Sequence, residues 1–177
     1  VIHKEKNSNL WYFRYPIKNS EIFLTVATTR PETMLGDTAV AVNPNDERYK
    51  KYIGEYVTLP IVEREIPIIA DDHIDPEFGT GCVKVTPAHD PNDFIIGEKH
   101  KLKFINIMND NASMNDNVPK DYIGLSREKA REKIVEDMGH LGLMDKIEEH
   151  LHKVGISERG QAPIEYYMSN QWFLKMD

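Results

Sequence analysis

The chain has 177 residues, 40% of them hydrophobic and 29% charged, an ordinary balance for a single soluble globular domain. Twenty-two basic and 29 acidic residues give a net charge of −7, which argues against nucleic-acid binding driven by bulk charge. No apolar run approaches the ~20 residues that span a bilayer, and the single cysteine excludes an internal disulfide, so we expect a cytoplasmic monomer away from membranes.

The amino-terminal half predicts a series of short strands separated by turns. The start at Val1 suggests a piece of a longer chain. Alternating or β-rich runs predict strands at residues 10–17, 21–29, 38–42, 56–59 and 66–70. Arg30-Pro31-Glu32-Thr33 interrupts this series, a capped turn at 43–46 leads into a short helix at 47–51, and 71–78 is a predicted loop.

The carboxyl-terminal half adds helices. A strand at Cys82–Thr86 is followed by a helix that begins at the cap Asp90 and ends near Lys101, with Asp93 at the third position of a capping box. A strand is predicted at 104–108, and a helix from Ser126 to Met138 that stops at Gly139. Residues 144–153 suit a helix or a strand, and 164–176 are extended. The pattern predicts an α+β fold, a mixed β-barrel decorated with helices.

The segment from Gly79 to Phe94 carries the most chemistry. Strand alternation places Cys82, Lys84 and Thr86 on one face, which suits the wall of a polar pocket better than a core. Asp90 and Asp93 follow one helical turn apart. Helix capping alone explains both aspartates, and binding a substrate amino group explains them equally well.

Other constellations favour different functions. Asp71, Asp72, His73 and Asp75, with His89 and Asp90, are candidate ligands of a metal-dependent hydrolase, and His150 with His152 would share a face of a strand. Arg30 is either a surface residue paired with Glu32 or a contact for a phosphate or terminal nucleotide.

Together these runs resemble the editing domain inserted into class I valyl-tRNA synthetases. The matching runs are Ala27–Thr33, Gly36–Val42, Gly79–Phe94, Ile105-Asn106 with Met114-Asn115, and Ser169–Phe173. Cys82 departs mildly from the family, which usually carries a small residue such as alanine there. The signatures of amino-acid activation are missing. The resemblance implies one editing domain over 1–177, with 1–18 and 160–177 as strand-like connections to the catalytic core of the parent synthetase.

The resemblance also implies a reaction, hydrolysis of the ester that joins threonine to the 3′ end of tRNA(Val), without a cofactor or metal. Threonine and valine are nearly isosteric, and an apolar valine pocket rejects threonine by only ~100-fold, a value known for valyl enzymes rather than obtained from this chain. A second pocket that demands the hydroxyl can reverse the selection.

The site residues implied by the resemblance divide into two groups. Asp93, Lys84 and Thr86 would be catalytic, with Asp93 accepting a hydrogen bond from the substrate ammonium group. Thr29, Arg30, Thr33 and Asp90 would bind substrate. Two alternatives remain open: a metal-dependent hydrolase and a non-catalytic tRNA-binding module.

Overall fold

The computed structural model describes residues 2–156, with side chains from residue 9 to residue 149. Seven strands and two α-helices, joined by three 3₁₀ turns, make up this part of the chain. Their bounds are β1 Ile2–Pro16, β2 Phe23–Thr28, β3 Ala39–Val42, β4 Tyr56–Leu59, β5 Arg64–Ala70, β6 Cys82–Val85, β7 Met144–Ile156, α1 Pro91–His100, α2 Arg127–His140, and the 3₁₀ turns Pro31–Gly36, Lys50–Tyr52 and Lys120–Tyr122.

The strands form two sheets. One has three strands in the order β2-β1-β7, with both pairings antiparallel. The other has four strands in the order β4-β5-β3-β6, where β3 and β5 are parallel and the remaining pairs antiparallel. The sheets meet where Ile17 bridges Val57 and where the Thr80 hydroxyl donates to the Thr25 carbonyl. The predicted α+β class is confirmed, and the described strands form these two sheets without closing into a barrel.

The core follows from strand and helix periodicity. Trp11, Phe13 and Tyr15 alternate along β1 and are buried, while Ala130 and Ile134 of α2 present a buried stripe at helical spacing. β3 is buried along its whole length because its two faces pack against different partners. Val40 and Val42 join the main core, and Ala39 and Ala41 pack with Val85 and with Ile96 of α1.

Both helix starts are as predicted, but one end and one strand are not. Asp90 caps α1 by accepting from the backbone N–H groups of Asn92 and Asp93, and Ser126 caps α2. α2 continues past Gly139 to His140, and the left-handed turn comes at Gly142 with φ of 72°. The prediction of a strand at 104–108 is wrong, since this stretch is irregular and makes only an isolated bridge between Met108 and Met114.

The structure also decides the predictions for residues 47–51 and 144–153. The predicted helix at 47–51 is a turn followed by one 3₁₀ turn at Lys50–Tyr52. The ambiguous stretch 144–153 is a strand, because pairing with β1 supplies its backbone partners. No helix within residues 2–156 has the length and apolar character needed to cross a bilayer. The predicted extended segment 164–176, the connection 160–177 and the side chains of His150 and His152 lie outside the described residues.

Candidate functional site

A cavity of about 500 Å³ lies where β1 and β2, the loop before β6, and the start of α1 meet. Six of the seven predicted site residues line it: Thr29, Arg30, Thr33, Lys84, Asp90 and Asp93. The rest of the lining consists of Leu10, Tyr12, Ala27, Thr28, Phe78, Gly79, Thr80, Cys82 and Val83. The ammonium group of Lys84 and the carboxylate of Asp93 therefore belong to one pocket.

Lys84 is held by a buried polar network. Its Nζ lies 2.9 Å from Asp37 Oδ1 and donates to Thr33 Oγ1 at 2.8 Å and to Thr86 Oγ1 at 2.7 Å. A lysine ammonium has three N–H donors, so these three oxygens satisfy it completely. Thr86, the seventh predicted residue, is 1% exposed and lies behind Lys84 rather than in the cavity lining.

Asp37 is the residue that sequence reasoning missed. It is fully buried, accepts a hydrogen bond from the Thr86 hydroxyl at 2.5 Å and another from the Tyr15 hydroxyl at 2.7 Å. Burial raises the pKa of Asp37, while the Lys84 charge and these hydroxyl donors oppose that rise. The signal was available in the run Gly36-Asp37-Thr38, where a carboxylate lies two residues before a fully apolar strand and must be paired if buried.

Asp90 and Asp93 make different contacts at the start of α1. Asp90 Oδ1 accepts from the N–H groups of Asn92 and Asp93, as a helix cap does. Asp93 does not complete the predicted capping box. Its Oδ2 instead accepts from the backbone N–H of Thr86 at 2.9 Å, which ties the first turn of α1 to the end of β6.

Asp93 also has an unusual proton affinity. Burial is the larger cause, and the neighbouring Asp90 carboxylate adds to it, so that together they raise the pKa of Asp93 to about 7. The Thr86 N–H and the Lys84 charge partly oppose the rise. Any cation that enters the cavity would stabilise the ionised form of this carboxyl group.

Arg30 and Thr33 sit at the start of the 3₁₀ turn Pro31–Gly36. Thr33 Oγ1 donates to the Arg30 carbonyl, and the Arg30 guanidinium donates to the His89 carbonyl at 2.9 Å. Glu32, which is fully buried, is held by Arg131 of α2 through two hydrogen bonds of 2.9 Å each. The predicted pairing of Arg30 with Glu32 is a long one, with 4.0 Å between Arg30 Nε and Glu32 Oε2.

The proposed metal ligands do not assemble. Among the side chains described, those of residues 9–149, no three His, Cys, Asp or Glu residues form a group that could hold a metal ion. Asp71 is buried and paired with His73 at 3.0 Å, with His100 at 2.8 Å and with Lys99 at 3.4 Å. His89 lies elsewhere, fully buried, where its Nε2 accepts from the Ile107 N–H.

Cys82 lies in the cavity wall but is poorly suited to act as a nucleophile. It is 3% exposed, and burial raises the pKa of its thiol to about 12. A thiol with that pKa is almost entirely protonated near neutral pH. Cys82 therefore acts here as a small apolar side chain.

The sequence model of the family described as "Leucyl-tRNA synthetase, editing domain" matches residues 45–139, which is more than half of the chain. The chain belongs to the editing-domain family of class I aminoacyl-tRNA synthetases. Valine--tRNA ligase of Protochlamydia amoebophila is 56% identical over 177 residues, covering 100% of this chain and 18% of that protein. Valine--tRNA ligase of Geobacillus stearothermophilus is 58% identical over 176 residues, covering 99% of this chain and 20% of that protein.

The predicted resemblance to the valyl-type editing domain is therefore confirmed. The editing domain spans about a fifth of the length of the curated relatives it matches. Among solved structures, it is similar to a leucyl-tRNA synthetase of Agrobacterium radiobacter K84 in a ternary complex with tRNA and LeuAMS. That likeness has a TM-score of 0.60 at 19% identity and covers 89% of this chain and 24% of the other, which supports the fold alone.

Proposed function

We propose that this domain is an aminoacyl-tRNA deacylase that hydrolyses threonyl-tRNA(Val) and spares valyl-tRNA(Val). The observation that carries the proposal is the single cavity lined by Lys84, Asp90 and Asp93 together with the Arg30–Thr33 turn. Membership of the editing-domain family supports the same general activity. The parent synthetase in cis and the 3′ end of tRNA(Val) are the proposed partners, in the cytoplasm where tRNA is charged.

Asp93 is the proposed acceptor for the α-ammonium group of the substrate. Its Oδ2 already accepts from the Thr86 N–H, which leaves Oδ1 to face a ligand. Burial and the Asp90 charge disfavour the ionised form of Asp93 and raise its pKa to about 7. An incoming ammonium group stabilises the ionised carboxylate by donating a charge-assisted hydrogen bond to it. The aminoacyl end of the substrate is thereby fixed against the start of α1.

Asp90 is the proposed contact for the threonine hydroxyl. Its Oδ1 caps the helix, so its Oδ2 is available to accept from a hydroxyl group. Valine presents a methyl group at the same place, and leaving a desolvated carboxylate oxygen without a donor costs about 1–3 kcal/mol or more. This difference favours threonine over valine in the direction that proofreading needs.

Lys84 and Thr86 act through the network that they share with Asp37. Since all three Lys84 donors are occupied, Lys84 contributes a fixed positive charge and holds Thr33 in place. No described side chain in the cavity is a persuasive general base. We therefore assign the chemistry to a positioned water molecule, aided by the ribose hydroxyl of the substrate. Thr29 and Arg30 line the wall that receives the terminal nucleotide.

A deacylation assay with threonyl-tRNA(Val) and valyl-tRNA(Val) side by side tests the proposal. We expect rapid release of threonine, slow release of valine, and loss of both in Asp93→Ala. Binding of tRNA without release of threonine would instead favour the non-catalytic tRNA-binding alternative. Activity that disappears with a chelator and returns with a divalent metal would favour the metal-dependent hydrolase.

A further inference from the structure

Arg131 of α2 binds a residue that lies between two members of the cavity wall. Glu32 stands between Arg30 and Thr33 in the chain, and both of these neighbours line the cavity. Glu32 itself is absent from the lining and fully buried. Its Oε1 accepts from Arg131 Nε and its Oε2 from Arg131 Nη2, at 2.9 Å each. The Glu32 carboxylate is therefore directed to α2, while its two neighbours in the turn face the cavity.

The Arg131 guanidinium is held by two kinds of contact. Besides its two hydrogen bonds to Glu32, its Cζ lies 5.6 Å from the centroid of the Trp11 ring, in cation–π geometry. The planar fork of an arginine matches both oxygens of a carboxylate at once, which a lysine ammonium cannot do. Both Glu32 oxygens are thus occupied from the α2 side.

A second arginine lies close to the same carboxylate. Arg30 Nε is 4.0 Å from Glu32 Oε2, which is beyond hydrogen-bond distance, and Arg30 Nη1 donates to the His89 carbonyl at 2.9 Å. A buried carboxylate that loses its partner is strongly destabilised, so it attracts the nearest cation. Because Arg131 already pairs with Glu32, Arg30 keeps its bond to His89.

We infer that Arg131 is a positioning residue for editing, which keeps the Arg30 guanidinium in the cavity wall by occupying Glu32. The inference rests on the proposed function, in which Arg30 contacts the substrate. Without Arg131, closing the gap between Arg30 and Glu32 to a hydrogen bond would move Arg30 by about 1 Å. A displacement of about 1 Å in a group that positions substrate can slow an enzyme by about 100-fold.

Deacylation of threonyl-tRNA(Val) by the 177-residue chain tests the inference. Arg131→Met removes the guanidinium and keeps apolar bulk beside Trp11, and we expect kcat/KM to fall by at least about tenfold. Lys133→Met removes a positive charge from the same helix and is the matched control, because Lys133 pairs with Asp137 at 3.4 Å. This control should change kcat/KM by less than about twofold.

The double variant Glu32→Gln/Arg131→Met distinguishes positioning from simple bracing of the turn. Glutamine has the shape of glutamate without its charge, so it no longer draws Arg30 from the cavity, and kcat/KM should return to within about threefold of the parent. In an Arg30→Ala background, Arg131→Met should cause no further loss, since the two residues act through one group. A double variant as slow as Arg131→Met, or a further loss in the Arg30→Ala background, would overturn the inference.

An NMR measurement reports on Arg30 without any catalysis. In Arg131→Met, the Nε–H signal of Arg30, assigned with Arg30→Lys, should shift and exchange more slowly with water, because a buried hydrogen bond to Glu32 forms. The double variant should restore the parental signal. These changes are expected whether or not the parental chain releases threonine, so failure of the proposed function is distinguishable from failure of this inference.

A second substitution keeps the measurement decisive if Arg131→Met does not fold by circular dichroism. Arg131→Lys retains the charge but gives up the two-pronged pairing, so it should move the Arg30 signal in the same direction by a smaller amount. An Arg30 signal that stays unchanged in the folded variant would show that Arg131 does not position Arg30.

Discussion

Lys84 Nζ lies 2.9 Å from Asp37 Oδ1, and this ion pair is almost completely shielded from solvent, with side-chain exposures of 8% and 0%. The pair joins β6 to a residue just before β3, directly behind the cavity. Two threonine hydroxyls and one tyrosine hydroxyl complete its hydrogen bonds. A buried charge that is fully paired is tolerated, whereas the same charge without its partner is not.

We therefore predict that Lys84→Ala destabilises the domain as well as impairing editing. The change leaves Asp37 buried and unpaired, and we expect a loss of about 3–5 kcal/mol in the free energy of unfolding, measured by urea titration. Lys18, which forms an exposed ion pair with Glu65 at 2.8 Å, is the matched control. Lys18→Ala should cost about 0–1 kcal/mol. Equal losses for the two variants would contradict a structural role for the Lys84–Asp37 pair.

The stability of the empty domain should depend on the protonation of Asp93. This residue has a pKa of about 7 when folded and about 4 when unfolded. Between these values the folded state binds more protons, so the contribution of Asp93 to stability is present below about pH 4 and is lost as the pH rises toward 7. Asp93→Asn removes this loss, while the amide oxygen of the new side chain can still accept from the Thr86 N–H.

The Asp93→Asn variant should thus be more stable than the parent at pH 8, by up to about 4 kcal/mol, and inactive in deacylation. Urea titrations of both proteins at pH 4, 6 and 8 measure the effect, because contributions from other groups cancel in the difference. A stability difference that does not grow between pH 4 and pH 8 would show that Asp93 titrates normally.

The pH profile of editing should follow the same carboxyl group. If ionised Asp93 binds the substrate ammonium group, kcat/KM for threonyl-tRNA should rise with pH up to about 7 and fall again above about 8, where the α-ammonium group of the substrate loses its proton. Asp90→Asn should move this rise to lower pH, because the Asp90 charge is the second cause of the raised pKa of Asp93. Asparagine caps helices as well as aspartate does, so α1 should remain intact. Circular dichroism checks the helix, and an unshifted rise would remove Asp90 from the electrostatics of Asp93.

Two helical glycines should respond in opposite ways to an added methyl group. On Gly97 of α1 it would lie 2.8 Å from Pro87 Cβ and 3.0 Å from Phe104 Cζ, so Gly97→Ala should push α1 away from the Thr86–His89 segment and cost about 1–3 kcal/mol. Gly139 of α2 has no atom within 4 Å of such a methyl group, so Gly139→Ala should stabilise the domain by up to about 1 kcal/mol. Thermal or urea unfolding of the two variants measures both effects, and the same sign for both would contradict this difference in packing.

Local chemistry explains what could be predicted from the sequence. Asp90 and Ser126 cap helices because short polar side chains reach the backbone N–H groups of the next turn, a relation contained within four residues. The seven site residues were predicted because they lie in the runs that carry the family resemblance. Six of them line one cavity. Their roles in editing stay predictions that the assays above address.

Other features depend on residues far apart in the chain. Nothing near Glu32 indicates that its carboxylate is held by Arg131, ninety-nine positions away, and nothing near residues 144–153 decides that they pair with β1. Asp93 was predicted to complete a capping box at the start of α1, yet its carboxylate accepts a hydrogen bond from the backbone N–H of Thr86, outside the helix. Hydrophobic periodicity and capping are local and were readable from the sequence, whereas the partner of a buried charge or an extended backbone is chosen only when distant segments are brought into contact.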